Sequence, residues 1–214
     1  MTKIGILGSG DVGKTLAKGF LKYDYQVAIG SEHVEKLAEF KKENPRMETA
    51  TFEQAAQSAD IIVLCVKGTV AEKIVEKVKR HLSGKTVIDS TNPIADAPPQ
   101  NGVLKYFTSL DESLMERLQR IAPDAQFVKA FNSIGSGLMV NPDFGDNTKP
   151  TMYICGNNDD AKNKVSEIVE KFGFEIEDMG RVESARAIEP LCILWCIPGF
   201  VKNEWAHAFK LLKK

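Results

Sequence analysis

The sequence has little of what marks several large functional classes. It carries no excess of either charge: 28 Lys and Arg stand against 29 Asp and Glu over 214 residues, and no basic block is interleaved with aromatics. Neither a nucleic-acid footprint nor a polybasic membrane patch is expected. No uninterrupted apolar run approaches the roughly 20 residues that cross a bilayer. No charged-then-apolar leader precedes the first apolar segment at Lys3. The expectation is a cytoplasmic protein with no membrane partner. The four cysteines, Cys65, Cys155, Cys192 and Cys196, lack C-x-x-C spacing, and His33, His81 and His207 are far apart, so no metal site is expected. The thiols read as core residues, with Cys192 and Cys196 one turn apart on a helix.

What is present begins with a glycine motif in context. Gly8-Ser9-Gly10-Asp11-Val12-Gly13 follows the apolar run Ile4-Gly5-Ile6-Leu7 and opens an amphipathic segment, Val12 to Leu21. Between a strand and a helix such a motif has a mechanism. Gly8 permits the tight turn, Gly10 lets backbone approach a pyrophosphate, and Gly13 lets helix and strand pack closely. The free N–H groups at the helix start near Asp11 would hold the phosphates of a dinucleotide.

The rest of the chain alternates in the same way. Tyr25 to Ile29 reads as a second strand, followed by a polar helix from about His33 to Glu43 that Asn44-Pro45 ends. Ile61 to Val66 is a continuous apolar run, as expected of a central parallel strand covered on both faces. A helix from Val70 to Leu82 and a strand at Thr86-Val87-Ile88-Asp89 come next. A long loop rich in proline, asparagine and glycine spans Asn92 to Phe107. Ser109-Leu110-Asp111-Glu112 has the form of a capping box for a helix running to Ile121, and Gln126 to Ala130 reads as another strand. Two more strands, Thr151 to Cys155 and Glu175 to Met179, flank a helix from Asp159 to Phe172 and extend the sheet. Ser184 to Leu212 is predicted helical, interrupted near Pro198-Gly199. The fold class expected is α/β, a Rossmann-type doubly wound parallel sheet. Residues 1–150 would be the dinucleotide-binding domain. Residues 151–214 would form a small α/β extension with a helical tail, a dimer and cleft-capping element because of its large apolar residues.

In this fold the end of the second strand selects the cofactor, an acid there favouring NAD. Here that position is Ser31, whose hydroxyl can donate to a 2′-phosphate, with Lys36 available to add positive charge. Glu32 and the weakly basic His33 give a mixed signal, and the balance favours NADP over NAD. Ligands bind outside the carboxyl ends of the strands, which selects Val66-Lys67-Gly68, Ser90-Thr91-Asn92-Pro93 and Phe131-Asn132-Ser133-Ile134-Gly135. Asn92 and Asn132 are candidates for fixing the nicotinamide carboxamide or lining an acceptor pocket, although asparagines after strands also satisfy turn backbone.

Several of these segments carry a resemblance: Ile4 to Gly13, Ile29-Gly30-Ser31 with Lys36, Ser90-Thr91-Asn92-Pro93, Lys129-Ala130-Phe131-Asn132, Ile154-Cys155-Gly156 and Asp178-Met179-Gly180. Together they resemble the deazaflavin (coenzyme F-420)-dependent NADP reductase family, over nearly the whole chain. They are also similar to the cytosolic reductase domain of the six-transmembrane metalloreductases, which passes NADPH electrons to a flavin and on to haem. The resemblance implies that Ser9, Gly10, Asp11 and Val12 contact the pyrophosphate and that Ser31 and Lys36 contact the 2′-phosphate. The family usually has arginine where this chain has Glu32. The activity implied is hydride transfer between NADP(H) and a flavin or deazaflavin, a small-molecule acceptor. Such transfer needs no general acid or base in its essential step, so no catalytic side chain is expected. Two other readings stay open: a small carbonyl or imine reductase, which needs a proton donor, and a non-catalytic dinucleotide sensor.

Overall fold

The computed structural model describes residues 1–214. The chain opens with β1 (Lys3–Leu7), α1 (Asp11–Lys22) and β2 (Gln26–Gly30), the expected βαβ unit. There follow α2 (Ala38–Glu43), β3 (Glu48–Ala50), α3 (Phe52–Ser58), β4 (Ile61–Leu64), α4 (Gly68–Val78), β5 (Thr86–Asp89), α5 (Leu114–Ile121) and β6 (Gln126–Lys129). The last third contributes β7 (Thr151–Gly156), α6 (Asp159–Lys171), β8 (Glu175–Asp178), α7 (Ala185–Ile188) and α8 (Leu191–Lys202).

The strands form one eight-stranded sheet in the order β3-β2-β1-β4-β5-β6-β7-β8. From β3 to β6 every pairing is parallel. β7 then pairs with β6 antiparallel, and β8 with β7 parallel. Order reverses between β1 and β4, the point at which a doubly wound sheet leaves a crevice at its carboxyl edge.

Side-chain alternation shows why the strands sit where they do. In β4, Ile61 and Val63 join one buried cluster with Ile4, Ile6, Leu16 and Phe20, while Ile62 and Leu64 join another with Leu7, Val75 and Phe127. A strand apolar at every position is thus covered on both faces by helices. The first cluster runs on across residue 150 through Met152, Ile154, Val165 and Phe172.

Three expectations are corrected. The capping box lies four residues later than Ser109: Ser113 Oγ accepts from the Glu116 N–H at 3.1 Å, and Glu116 Oε2 accepts from the Ser113 N–H at 2.8 Å. The apolar stripe decides this, because Leu114, Met115 and Leu118 are buried whereas Leu110 is exposed. Burial opposes ionisation of Glu116, but Arg186 and the Ser113 cap hold its carboxyl down to about 2.

The segment from 184 is not broken at Pro198-Gly199. The break falls at Glu189-Pro190, and Pro198 lies inside α8. Proline there leaves the Leu194 carbonyl without its helical N–H partner, and Leu194 is on the solvent side of the helix. Nor does the helix reach Leu212. It ends at Asn203, left-handed at φ +57. The chain then folds back: Trp205 packs on Gly199, Trp195 Nε1 donates to the His207 carbonyl at 2.9 Å, and the Thr151 N–H donates to the Phe209 carbonyl at 2.9 Å.

Val182–Lys202 is a 21-residue helical stretch of hydropathy 1.3, long and apolar enough to cross a membrane by composition alone. Glu189 in its middle is buried and ion-paired to Lys129, and Cys192, Trp195 and Cys196 pack against Ile94, Leu104 and Tyr106. One face of the stretch is packed in this fold, and Leu194, Phe200 and Val201 on it are exposed.

Candidate functional site

The three motif glycines answer to different demands. Gly8 has φ +137, and a Cβ on it would lie 2.5 Å from the Cys65 carbonyl oxygen. A Cβ on Gly13 would overlap the Gly8 carbonyl oxygen. Both glycines are therefore required by the protein's own packing. Around the position of a Gly10 Cβ there is nothing within 4 Å. Gly10 is the N-cap of α1, extended at φ −78 and ψ −171, and no side chain caps the helix. An uncapped helix start beside an open space is an anion cradle that a side chain would fill.

Ser31, at the end of β2, is buried next to this cradle. Its hydroxyl oxygen accepts from the Ser9 hydroxyl at 3.0 Å and from the His33 N–H at 3.1 Å. Glu32, His33 and Lys36 are exposed around it. Lys36 lies in a 3-10 turn, Val34–Leu37, ahead of α2. His33 Nδ1 is 3.3 Å from Glu35 Oε1.

A cleft of about 330 Å³ opens at the carboxyl ends of β4 and β5. Val12 and Cys65 border it, Val66 and Lys67 lie on one side, Ser90, Thr91 and Asn92 on another, and Ile94 to Asp96 close it from the long loop. That loop is a strap, pinned by bridges between Ile94 and Tyr106 and between Gln100 and Val103. Gly102 at its tip packs on Val201 of α8. Burial pushes the Cys65 thiol up to about 12, and its sulfur is 3.4 Å from the Leu7 carbonyl oxygen, so it packs as a neutral thiol.

Of the residues selected from sequence, Val12, Val66, Lys67 and Asn92 line this cleft, and Gly8 to Gly13 with Ser31 form the adjoining cradle. Asn132 and Ile134 stand outside that lining. Asn132 Nδ2 donates to Asn92 Oδ1 at 3.2 Å and to the Ile188 carbonyl at 3.0 Å, its Oδ1 is buried without a partner, and Ile134 belongs to the main core.

Sequence reasoning missed two features. One is the strap as a wall, for which the signal was only a long loop. The other is a buried ion cluster behind the cleft, in which Lys129 Nζ lies 2.6 Å from Asp89 Oδ2 and 2.9 Å from Glu189 Oε1. The one available signal was a lysine ending an apolar strand.

The glycine roles separate experimentally. Gly13→Ala should cost about 3 kcal/mol of stability, since the helix must move off β1. Gly10→Val should stay within about 1 kcal/mol of wild type yet lose binding of adenosine 2′,5′-bisphosphate. Denaturant unfolding and calorimetric titration measure the two effects. A Gly13→Ala protein as stable as wild type would contradict the packing assignment.

The profile described as "NADP oxidoreductase coenzyme F420-dependent" matches residues 3–93. The F420-dependent NADP reductase of Methanothermobacter marburgensis is 31% identical over 219 residues, covering 94% of this chain and 95% of that protein. The metalloreductase STEAP3 of Rattus norvegicus is 30% identical over 201 residues; the match covers 92% of this chain and 38% of that protein's length. A solved structure from Arthrobacter sp. described as an F420-dependent NADP reductase superposes with a TM-score of 0.93 at 25% identity, covering 100% of both chains. With the glycine cradle, the Ser31 position and the strand-end cleft in the arrangement described above, the chain belongs to the F420-dependent NADP reductase family.

Proposed function

We propose that the protein is an NADP(H)-dependent oxidoreductase that moves a hydride between nicotinamide and a deazaflavin. The observation that carries this reading is the open space at Gly10, at an uncapped helix start and beside the Ser31 hydroxyl. Bound NADP(H) would supply the hydride chemistry. The chain supplies placement. Ser9 to Gly13 hold the pyrophosphate, and Ser31 and Lys36, with His33 beside them, meet the 2′-phosphate. Val66, Lys67 and Asn92 border the nicotinamide end. Asn132 Oδ1, one of two buried acceptors without a hydrogen-bond partner (Asp89 Oδ2 is the other), is our assignment for the carboxamide. Ile134 backs this end from the core. We read 1–150 as the cofactor-binding part and 151–214 as the extension that completes the sheet and caps the cleft. Four free thiols fit a cytoplasmic, reducing setting.

We further infer a homodimer built on α8. Leu194, Phe200 and Val201 on that helix and Trp205 beyond it are exposed together, and an apolar stripe of this kind is suited to an isologous contact with a second copy. Sedimentation should show a dimer at micromolar concentration, and Leu194→Glu with Val201→Glu should give monomer. A wild-type monomer would refute this assembly.

Glu32 sets the strength of NADP selection. Ser31→Asp would place a carboxylate within about 4 Å of the 2′-phosphate, a repulsion of about 1–4 kcal/mol. NADPH affinity should fall roughly 10-fold or more, with NADH much less affected. Glu32→Arg should raise NADPH affinity. If Glu32→Arg leaves both affinities unchanged and wild type prefers NADH, the 2′-phosphate assignment is wrong.

Hydride transfer also has an isotopic signature. NADPH deuterated at the transferred position of C4 should deliver its label to the carbon centre of the reduced deazaflavin, where it is retained. The single-turnover rate should show no bell-shaped pH profile between about 6 and 8, because no protein acid or base acts. Absence of label in the deazaflavin, together with turnover of a carbonyl or imine on a bell-shaped profile, would replace this reading.

A further inference from the structure

We propose that Lys129, which does not line the cleft, is a positioning residue for the cleft floor and ties Thr91 to the corner between α7 and α8. The proposal rests on the reading of that cleft as the nicotinamide end of the site.

The ammonium of Lys129 is fully buried: it donates to the Thr91 carbonyl at 2.9 Å and is ion-paired with Asp89 Oδ2 at 2.6 Å and Glu189 Oε1 at 2.9 Å. Asp89 Oδ1 accepts from the Thr91 N–H at 2.9 Å and from the Thr91 hydroxyl at 2.6 Å. Thr91 is therefore held at its nitrogen, its hydroxyl and its carbonyl by one ion pair. The second carboxylate comes from the α7–α8 corner. Glu189 Oε2 accepts from the Leu114 N–H at 2.9 Å and Oε1 from the Met115 N–H at 3.0 Å, so the first turn of α5 offsets the extra negative charge. Burial works against the ammonium, but the two carboxylates outweigh it and hold Lys129 above the usual lysine range. The Lys129 ammonium is thus held in its charged form.

Three further bonds form two links, one from the cleft floor and one from the strap, to the same corner. Asn92 on the floor donates to the Asn132 carbonyl at 2.7 Å, and Asn132 in turn donates to the Ile188 carbonyl at 3.0 Å. Tyr106, at the base of the strap, donates to the Glu189 carbonyl at 2.7 Å. Floor and strap therefore share one anchor, Ile188-Glu189. Hydrophobic residues of similar volume replace a buried ion cluster with little loss of stability in many proteins. Hydrocarbon cannot hold three polar atoms of Thr91 in fixed directions, and that is the property this cluster adds.

Lys129→Met alone leaves two buried carboxylates without a counter-ion and would compromise folding. The test uses the neutral variant Asp89→Asn/Lys129→Met/Glu189→Gln in the full chain, with Glu189→Gln as a milder second variant that keeps the Lys129–Asp89 pair. Binding of adenosine 2′,5′-bisphosphate, which reports only the cradle, should stay within 2-fold of wild type. Hydrogen exchange at Ser90 to Asn92 should accelerate at least 10-fold in the neutral variant. The single-turnover rate at saturating NADPH should fall at least 10-fold there and several-fold in Glu189→Gln. A folded neutral variant that keeps the wild-type rate and wild-type exchange at Thr91 overturns the proposal. Should the neutral variant fail to fold, an unchanged rate in Glu189→Gln overturns it instead. Wild type that binds NADPH no better than the bisphosphate and transfers no hydride, while exchange at Thr91 still responds to the variants, refutes the reading of the cleft and leaves the tether standing.

Discussion

The backbone contact between Gly8, Gly13 and the Cys65 carbonyl is the constraint on which the cofactor half of the molecule depends. It allows α1 to start almost on top of β1, which carries the free N–H groups of its first turn to the edge of the sheet. The same turn fixes β2: the Gly8 N–H donates to the Gly30 carbonyl at 3.2 Å, and the next residue, Ser31, then falls beside Ser9. A single methyl group at Gly13 would separate these elements. The position proposed to select the phosphate and the cradle proposed to bind it are therefore one piece of geometry rather than two.

The other half is ordered from the opposite end of the chain. β7 enters antiparallel to β6, which returns the polypeptide across the sheet and allows α7 and α8 to reach back behind the carboxyl ends of β5 and β6. Polar contacts add to the apolar packing of Ile188 and Trp195 in fixing them there. Arg186 of α7 bonds Glu116 at 2.6 Å at the cap of α5, and Glu189 reaches the first N–H groups of the same helix. α5 is thus gripped at its start by two consecutive turns of the C-terminal segment. The outer face of α8 keeps its apolar side chains in solvent.

How much of this was legible follows from the range of the interactions. β1, α1 and β4 could be read because period and burial agree locally: an apolar run, a glycine turn, then a 3.6-residue stripe. The capping box was misplaced because Ser109 and Ser113 both begin an S-x-x-E pattern, and only the buried stripe at Leu114, Met115 and Leu118 distinguishes them. The end of α8 escaped because a left-handed Asn203 and a glycine beneath an indole ring have no helical period. The pairing of Lys129 with Glu189 joins residues 60 positions apart. Nothing near either residue announces the other. Local pattern thus reveals the cradle, while the support behind the cleft is a property of the folded chain alone.

The distribution of charge around the cleft fits its proposed chemistry. Most side chains that border it are neutral, Val12, Val66, Ser90, Thr91, Asn92 and Ile94 with the protonated Cys65, and the two charged ones, Lys67 and Asp96, are exposed at its rim. Hydride transfer between two ring systems requires close, fixed approach more than a proton donor, and fixed charge beside the rings would bias one redox state over the other. The three buried ionic groups stand one layer back, where they hold Thr91 without facing the cleft. The Lys129 ammonium and the first-turn N–H groups of α5 face the two carboxylates and offset their charge locally. A rigid floor and a mostly uncharged lining are thereby obtained from the same set of strand ends, because the strand that ends in Asp89 goes on directly to Ser90 and Thr91.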